Sequence, residues 1–285
     1  MIGDYTLAYG THATPEDGRC AMEWVSHLAG APHGDSPACV SPVLRAMCIA
    51  LNDGLEDGPR QRLRPYLART IGTADDGLDP ERAWLALDWL TRTYTPAWLR
   101  LADLQPAAEA LRELPEVVDE VSLGRALRSL QDARRQARAA RANAFAAPRG
   151  AGWATALTAG LAGREGAWAC AGAAAWAAAR VGVGDIAGDR ARAAARAAAG
   201  DAAAIATRRA RMDSGRDGGD AAAIATRRAR LETGRDGGRD DARAALAPTL
   251  AELTESALAL LDRMLPTEQL AMPEPARAAL EPVAP

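Results

Sequence analysis

Apolar positions along this 285-residue chain recur at helical spacing and nowhere alternate for long enough to make a strand. The first periodic stretch runs from about Arg19 to Ala29, with Met22, Val25 and Ala29 on one face and Gly30 as its stop. Two prolines then make Ala31 to Ala38 a loop. Ser41-Pro42 is an N-cap followed by proline at the first helical position, and Val43, Leu44, Met47, Cys48 and Leu51 form the stripe behind it. Pro59 opens a further helix with Leu63, Tyr66, Leu67 and Ile71, bent at Pro65. Asp79-Pro80-Glu81 is the clearest helix start in the chain. Behind it Ala83, Leu87, Leu90 and Tyr94 follow 4, 3, 4 spacing, and Thr95-Pro96 starts a short helix with Trp98, Leu99 and Leu101.

Beyond residue 120 the pattern changes. A long helix begins near Ser122, but large apolar residues (Leu123, Leu127, Leu130) mark only its start. Residues 151–200 are dominated by Ala, with Trp153, Trp168 and Trp176 as the large anchors. An internal duplication follows: DAAAIATRRARMDSGRDGG (201–219) recurs as DAAAIATRRARLETGRDGG (220–238). Each unit reads as an N-cap Asp, about three helical turns and a Gly-rich turn, poor enough in core residues to be a spacer. The last amphipathic stretch runs from Pro248 to Leu265 and carries Leu250, Leu253, Ala257, Leu260, Leu261 and Met264 on one face. Pro266 ends it.

The expected fold is therefore all-α. A flexible arm (1–18) precedes a compact N-terminal helical domain (19–120). An Ala/Arg-rich helical region (121–200), the tandem repeat as spacer (201–238), a C-terminal helix (239–266) and a disordered Pro-rich tail (267–285) follow.

Charge sharpens this picture. The net charge of −3 conceals 10 Arg against 19 acids over 1–120, 22 Arg against 12 acids over 121–243, and 2 Arg against 6 acids over 244–285. The basic middle can pack against the acidic ends or meet an acidic partner. For a nucleic-acid partner the candidate contacts are Arg134, Arg135, Arg138 and Arg141, with Arg208, Arg209, Arg227 and Arg228 in the repeat. No aromatic residues interleave these clusters as single-strand binding requires. No Lys occurs, and the heavy use of Ala, Gly, Pro and Asp points to a GC-rich, actinobacterial genome. The start of the chain lacks a signal-peptide pattern, and Gly166 to Ala179 is too short to span a bilayer. A cytoplasmic protein without membrane contact is expected.

Chemically capable side chains concentrate in Cys20 to Asn52. Glu23 and His27 share a helix face, and His33, Asp35 and Cys39 lie in the loop that follows. Cys20, His33, Asp35 and Cys39 together suit zinc, although their spacing matches no established ligand pattern. As structural residues the same cysteines are small buried hydrophobes. A Cys39/His33 nucleophile pair would need Asp35 as its orienting group. No cofactor motif is present, and no Gly-rich stretch leads into Lys-Ser/Thr as a phosphate loop requires.

The GxC-x-x-E…LAGxPHxDxPxCxSPV pattern over Cys20–Leu44 resembles an uncharacterised family of actinobacteria and their phages. So do the blocks Asp88-Trp89-Leu90…Tyr94-Thr95-Pro96-Ala97-Trp98-Leu99-Arg100 and Ser256-Ala257-Leu258…Leu261-Asp262-Arg263-Met264. The family joins two such ends through an Ala-rich middle of variable length. Ala31 and Gly34 stand where its pattern has Glu and Ser, which argues against a site at those two positions. The resemblance implies an architecture and no activity. The leading expectation is a non-enzymatic interaction or regulatory protein of mobile-element origin, acting on an unidentified protein partner. The alternatives are a metal-dependent hydrolase centred on Cys20–Cys39 and a nucleic-acid binder using the Arg-rich middle.

Overall fold

A computed structural model of the chain describes residues 5–146, 186–213 and 237–266. Among these the fold is all-α, with helices, turns and no strand. No helix among the described residues is long and apolar enough to cross a membrane.

Helix α1 (Ala21–Leu28) and helix α2 (Pro42–Gly54) flank the Pro-broken loop. Ser41 caps α2 as its sequence demands, its hydroxyl oxygen accepting the N–H groups of Val43 and Leu44 at 3.2 and 3.4 Å. The stripe Val43, Leu44, Met47, Cys48 and Leu51 is fully buried. The segment opened by Pro59 is a succession of short pieces: α3 (Asp57–Arg60), a 3-10 turn, α4 (Arg64–Leu67) and another 3-10 turn. Pro65 lacks the N–H that one continuous helix would need.

Helix α5 (Asp79–Trp89) passes into α6 (Thr95–Leu101) through a π-helical turn, Leu90–Tyr94. Thr95-Pro96 was expected to start a separate helix. Pro96 has no N–H to donate, and the wider turn carries the chain past it without a break. The Thr95 N–H and hydroxyl both go to the Leu90 carbonyl, the hydroxyl at 2.7 Å. Helix α7 (Gln105–Arg112) follows.

Helix α8 (Glu120–Ala146) is capped one turn before the expected Ser122. Asp119 accepts the Ser122 N–H at 2.7 Å, while the Ser122 oxygen accepts the Asp119 N–H at 3.1 Å, a reciprocal box. Its buried seam does not stop with the leucines. Leu123, Ala126, Leu130, Ala133 and Ala137 are buried and Ala140 and Ala144 pack against the core, in alternating steps of 3 and 4. The partner of this seam is α9 (Ile186–Asp213), whose buried residues are almost all Ala.

Residues 201–213 of the first repeat unit are the end of α9. Asp201 lies inside the helix rather than capping it, and Ala202 to Ala206 are buried, so this unit supplies core as well as length. Residues 220–236 of the second unit, most of the Ala/Trp stretch over 147–185, and the tail from 267 lie outside the described residues.

Helix α10 (Gly237–Met264) begins earlier than Pro248, which sits in its interior. Its buried face carries Leu253, Ala257, Leu260, Leu261 and Met264 and packs on α5, α2 and α9. Buried apolar side chains from Leu7 to Leu265 form one cluster, so the core continues across the boundary expected at residue 120.

Candidate functional site

The densest polar cluster surrounds Glu23, which is completely buried at the third position of α1. From there its carboxylate reaches back to the N–H of Cys20 at 2.7 Å. It also accepts the N–H of His12 at 2.6 Å and the His12 Nδ1–H at 2.8 Å. Burial alone pushes this carboxyl up. The donors from His12 and Cys20 outweigh that and hold it below the usual carboxylate range. Since an ionised carboxylate only accepts, His12 carries its proton on Nδ1. The His33 Nε2 donates to the His12 carbonyl at 3.0 Å and lies 3.9 Å from Glu23 Oε1.

Two histidines thus flank one buried carboxylate, and the arrangement fastens residues 5–18 onto α1. The loosely held arm expected from Gly, Pro and polar composition is instead docked. Leu7 is buried, Gln61 binds both its N–H and its carbonyl, and Asn52 Nδ2 donates to the Ala8 carbonyl at 2.9 Å. The tie is polar and non-periodic, so an apolar pattern does not reveal it.

Of the four candidate metal ligands, His33 joins this cluster, whereas Cys20, Asp35 and Cys39 do not converge on it as ligands. Among the described residues, no three of His, Cys, Asp and Glu come together in a way that could hold a metal ion. Burial pushes the Cys20 thiol up to about 12, with the Glu23 carboxylate adding to the effect, and Cys48 likewise to about 12. Both are therefore protonated at neutral pH as they stand, the form that does not attack. The Cys39 carbonyl accepts the N–H groups of Gly72 and Ala74, which ties its loop to the next one. Among the described residues, Asp35 meets a long contact from the Ser36 hydroxyl at 3.4 Å.

The candidate nucleic-acid residues divide differently. Arg134, Arg135 and Arg138 are exposed on α8, Arg135 with Arg128 opposite the Leu/Ala seam and Arg134 and Arg138 on its flank. Arg135 pairs with Asp132 on its own helix. Arg141 is half-buried and bridges to Asp201 of α9 at 2.7 Å. Arg208 is half-buried, and Arg209 pairs with Asp103. Arg227 and Arg228 lie outside the described residues. The helix-joining arginines serve packing, while those on the back of α8 face solvent.

His12 and Asn52 were missed by the sequence reading. Glu23 three residues after an N-cap was the available signal, and it points to the Cys20 N–H but not to a histidine eleven residues upstream. No protein-family model, no curated protein and no solved structure matches the chain.

Proposed function

We propose that this is a non-enzymatic interaction or regulatory protein of the cytoplasm, and that its working surface is the arginine-bearing back of α8. The supporting observation is the division of that helix: a Leu/Ala seam is buried, while Arg128 and Arg135 stand exposed on the far side and Arg134 and Arg138 on the flank between. Ten residues at 1.5 Å rise place Arg128 and Arg138 about 15 Å apart, room for several anionic groups. An acidic protein segment fits such a row without base-specific contacts. Nucleic acid is the second reading, favoured by the same exposed guanidinium groups. The acid–base residues near Glu23 are engaged in holding the arm.

The test is a binding series with two defined probes, a polyglutamate peptide and a labelled DNA duplex, at low and moderate salt. Binding of polyglutamate that is lost in an Arg134→Glu/Arg135→Glu/Arg138→Glu variant supports the acidic-protein reading. Duplex binding that falls steeply with salt assigns the surface to nucleic acid instead. Indifference to both probes even at low salt removes the proposal.

A further inference from the structure

Residues 5–12 are held as a groove holds a peptide. Two side chains anchor them: Tyr5, its ring centroid 4.2 Å from that of Trp24, and the buried Leu7. The remaining contacts mostly address the main chain. Gln61 takes the Leu7 N–H at 2.8 Å and its carbonyl at 3.0 Å, and Asn52 takes the Ala8 carbonyl. Asp53 accepts the Gly10 N–H at 3.1 Å, and Glu23 accepts the His12 N–H. Side chains that read successive main-chain atoms of a bound segment are the working parts of a peptide site. Asn52 and Glu23 are fully buried, and without a peptide both would lose partners at a cost.

The chain leaves this groove through a self-contained turn. The Thr14 N–H and hydroxyl go to the Asp17 carboxylate at 3.2 and 2.9 Å, and the Asp17 N–H returns to the Thr14 carbonyl at 3.2 Å. Gly18 follows at φ +128°, a conformation that favours glycine. The arm residues that bind lie before the turn, Ala8 also donating its N–H to the Arg19 carbonyl just beyond it at 2.9 Å, and the turn itself is exposed at Thr14, Glu16 and Asp17. A second molecule of the same sequence could therefore supply every one of these bonds, with only the covalent connection changed.

We infer that the groove lined by Gln61, Asn52, Asp53 and Glu23 is an exchangeable peptide site, and that its second occupant is residues 5–12 of another copy of this chain. The tethered arm competes at an effective concentration on the order of mM, so exchange gains ground as the protein is concentrated. The dimer that results is reciprocal, each copy lending its arm to the other.

The experiment mixes two full-length chains at about 1 mM, matching that effective concentration. One carries Tyr5→Cys and the other Arg64→Cys, since the Arg64 guanidinium lies 4.5 Å from the Tyr5 ring. After reaction with a bis-maleimide whose spacer replaces the reach of the two lost side chains, peptide mapping is expected to find a cross-link between positions 5 and 64 that joins two chains. Adding Leu7→Asp to the first chain is expected to abolish it. Absence of that inter-chain bond, in variants with the parent's helical circular dichroism, overturns the inference. Should the variants lose helical signal, the unaltered chain is sedimented over a concentration series with a labelled peptide of residues 5–19 as competitor. A dimer dispersed by the peptide supports exchange, and a chain that stays monomeric and takes up no peptide overturns it. Peptide uptake by a chain that never dimerises also overturns it, and would give the groove to a partner's peptide.

Discussion

Arg82 donates its Nε–H to the main-chain carbonyl of Met264, 2.9 Å away and 182 residues later in the chain. The arginine is buried at the first turn of α5, and the carbonyl is one of those that the end of α10 leaves without an intrahelical partner. The same guanidinium grips Asp76 at 2.6 and 2.8 Å and Asp79 at 3.2 Å. Asp79 in turn accepts the hydroxyl proton of Ser41, the cap of α2. One side chain thus ties together a loop, two helix starts and the far end of the chain.

Replacing Arg82 by Met should be among the most destabilising single changes in the molecule. It fills the volume but leaves Asp76 and Asp79 without their cation, and breaking a buried pair from one side costs about 3–5 kcal/mol. Urea unfolding of the variant measures it. A loss below about 1 kcal/mol would show that water reaches the cluster freely. Arg82→Lys should fall between the two, since an ammonium cannot serve three partners in the fork geometry of a guanidinium.

Acid should loosen the fold at two identifiable carboxylates. Burial raises both Glu23 and Asp76. For Glu23 the donors from His12 and Cys20 win, and for Asp76 the Arg82 guanidinium and the Leu78 N–H win, so both end below their ordinary values of 4.5 and 3.8. A depressed native value means that the unfolded chain takes up the proton first. The stabilisation is therefore present above those ordinary values and drains away as the pH falls below them through the native ones. Unfolding free energy measured at successive pH values from 7 downward should drop in that window. Glu23→Gln should be less stable at pH 7 and should show a flatter acid limb.

The helix starts were legible because a cap and a proline act locally: Ser41-Pro42 and Asp79-Pro80 need only their neighbours to declare themselves. Met22, Val25 and the stripe of α2 were legible from periodicity. The rest depends on distance in the chain. Arg82 finds Met264, Trp89 donates its indole N–H to Ser256 at 3.0 Å, and Glu23 finds His12, none of which a local pattern encodes. The α8 seam was missed for another reason. Ala is both a helix former and a small core residue, so its presence at Ala126, Ala133 and Ala137 does not distinguish a buried face from a solvated one.

Gly18→Ala should release the arm while leaving the helices intact. A Cβ there would sit 3.0 Å from the His12 Nε2 and 3.1 Å from its Cδ2, on a backbone at φ +128° that side chains rarely adopt. Strain of this kind costs about 1–3 kcal/mol. The expected readout is faster proteolysis within residues 5–18 with unchanged helical circular dichroism. Equal cleavage rates in parent and variant would mean that the arm is held independently of His12.

The two sides of α8 should respond to substitution in opposite ways, which separates folding from recognition. Ala137 is fully buried in the seam against α9, where the predominance of Ala on both helices lets them pack closely. Ala137→Leu forces three more carbons into that contact, and overpacking of a tight core costs about 1–3 kcal/mol. Arg138, the next residue, is turned about 100° away from the seam and is exposed. Arg138→Ala should change stability by no more than about 0.5 kcal/mol. It should nonetheless weaken binding to an anionic probe, because the guanidinium that it removes is one of those offered to solvent. Thermal unfolding and polyglutamate binding measured on both variants decide the matter. If Arg138→Ala destabilises as much as Ala137→Leu, the outer row of arginines belongs to the fold and not to a partner.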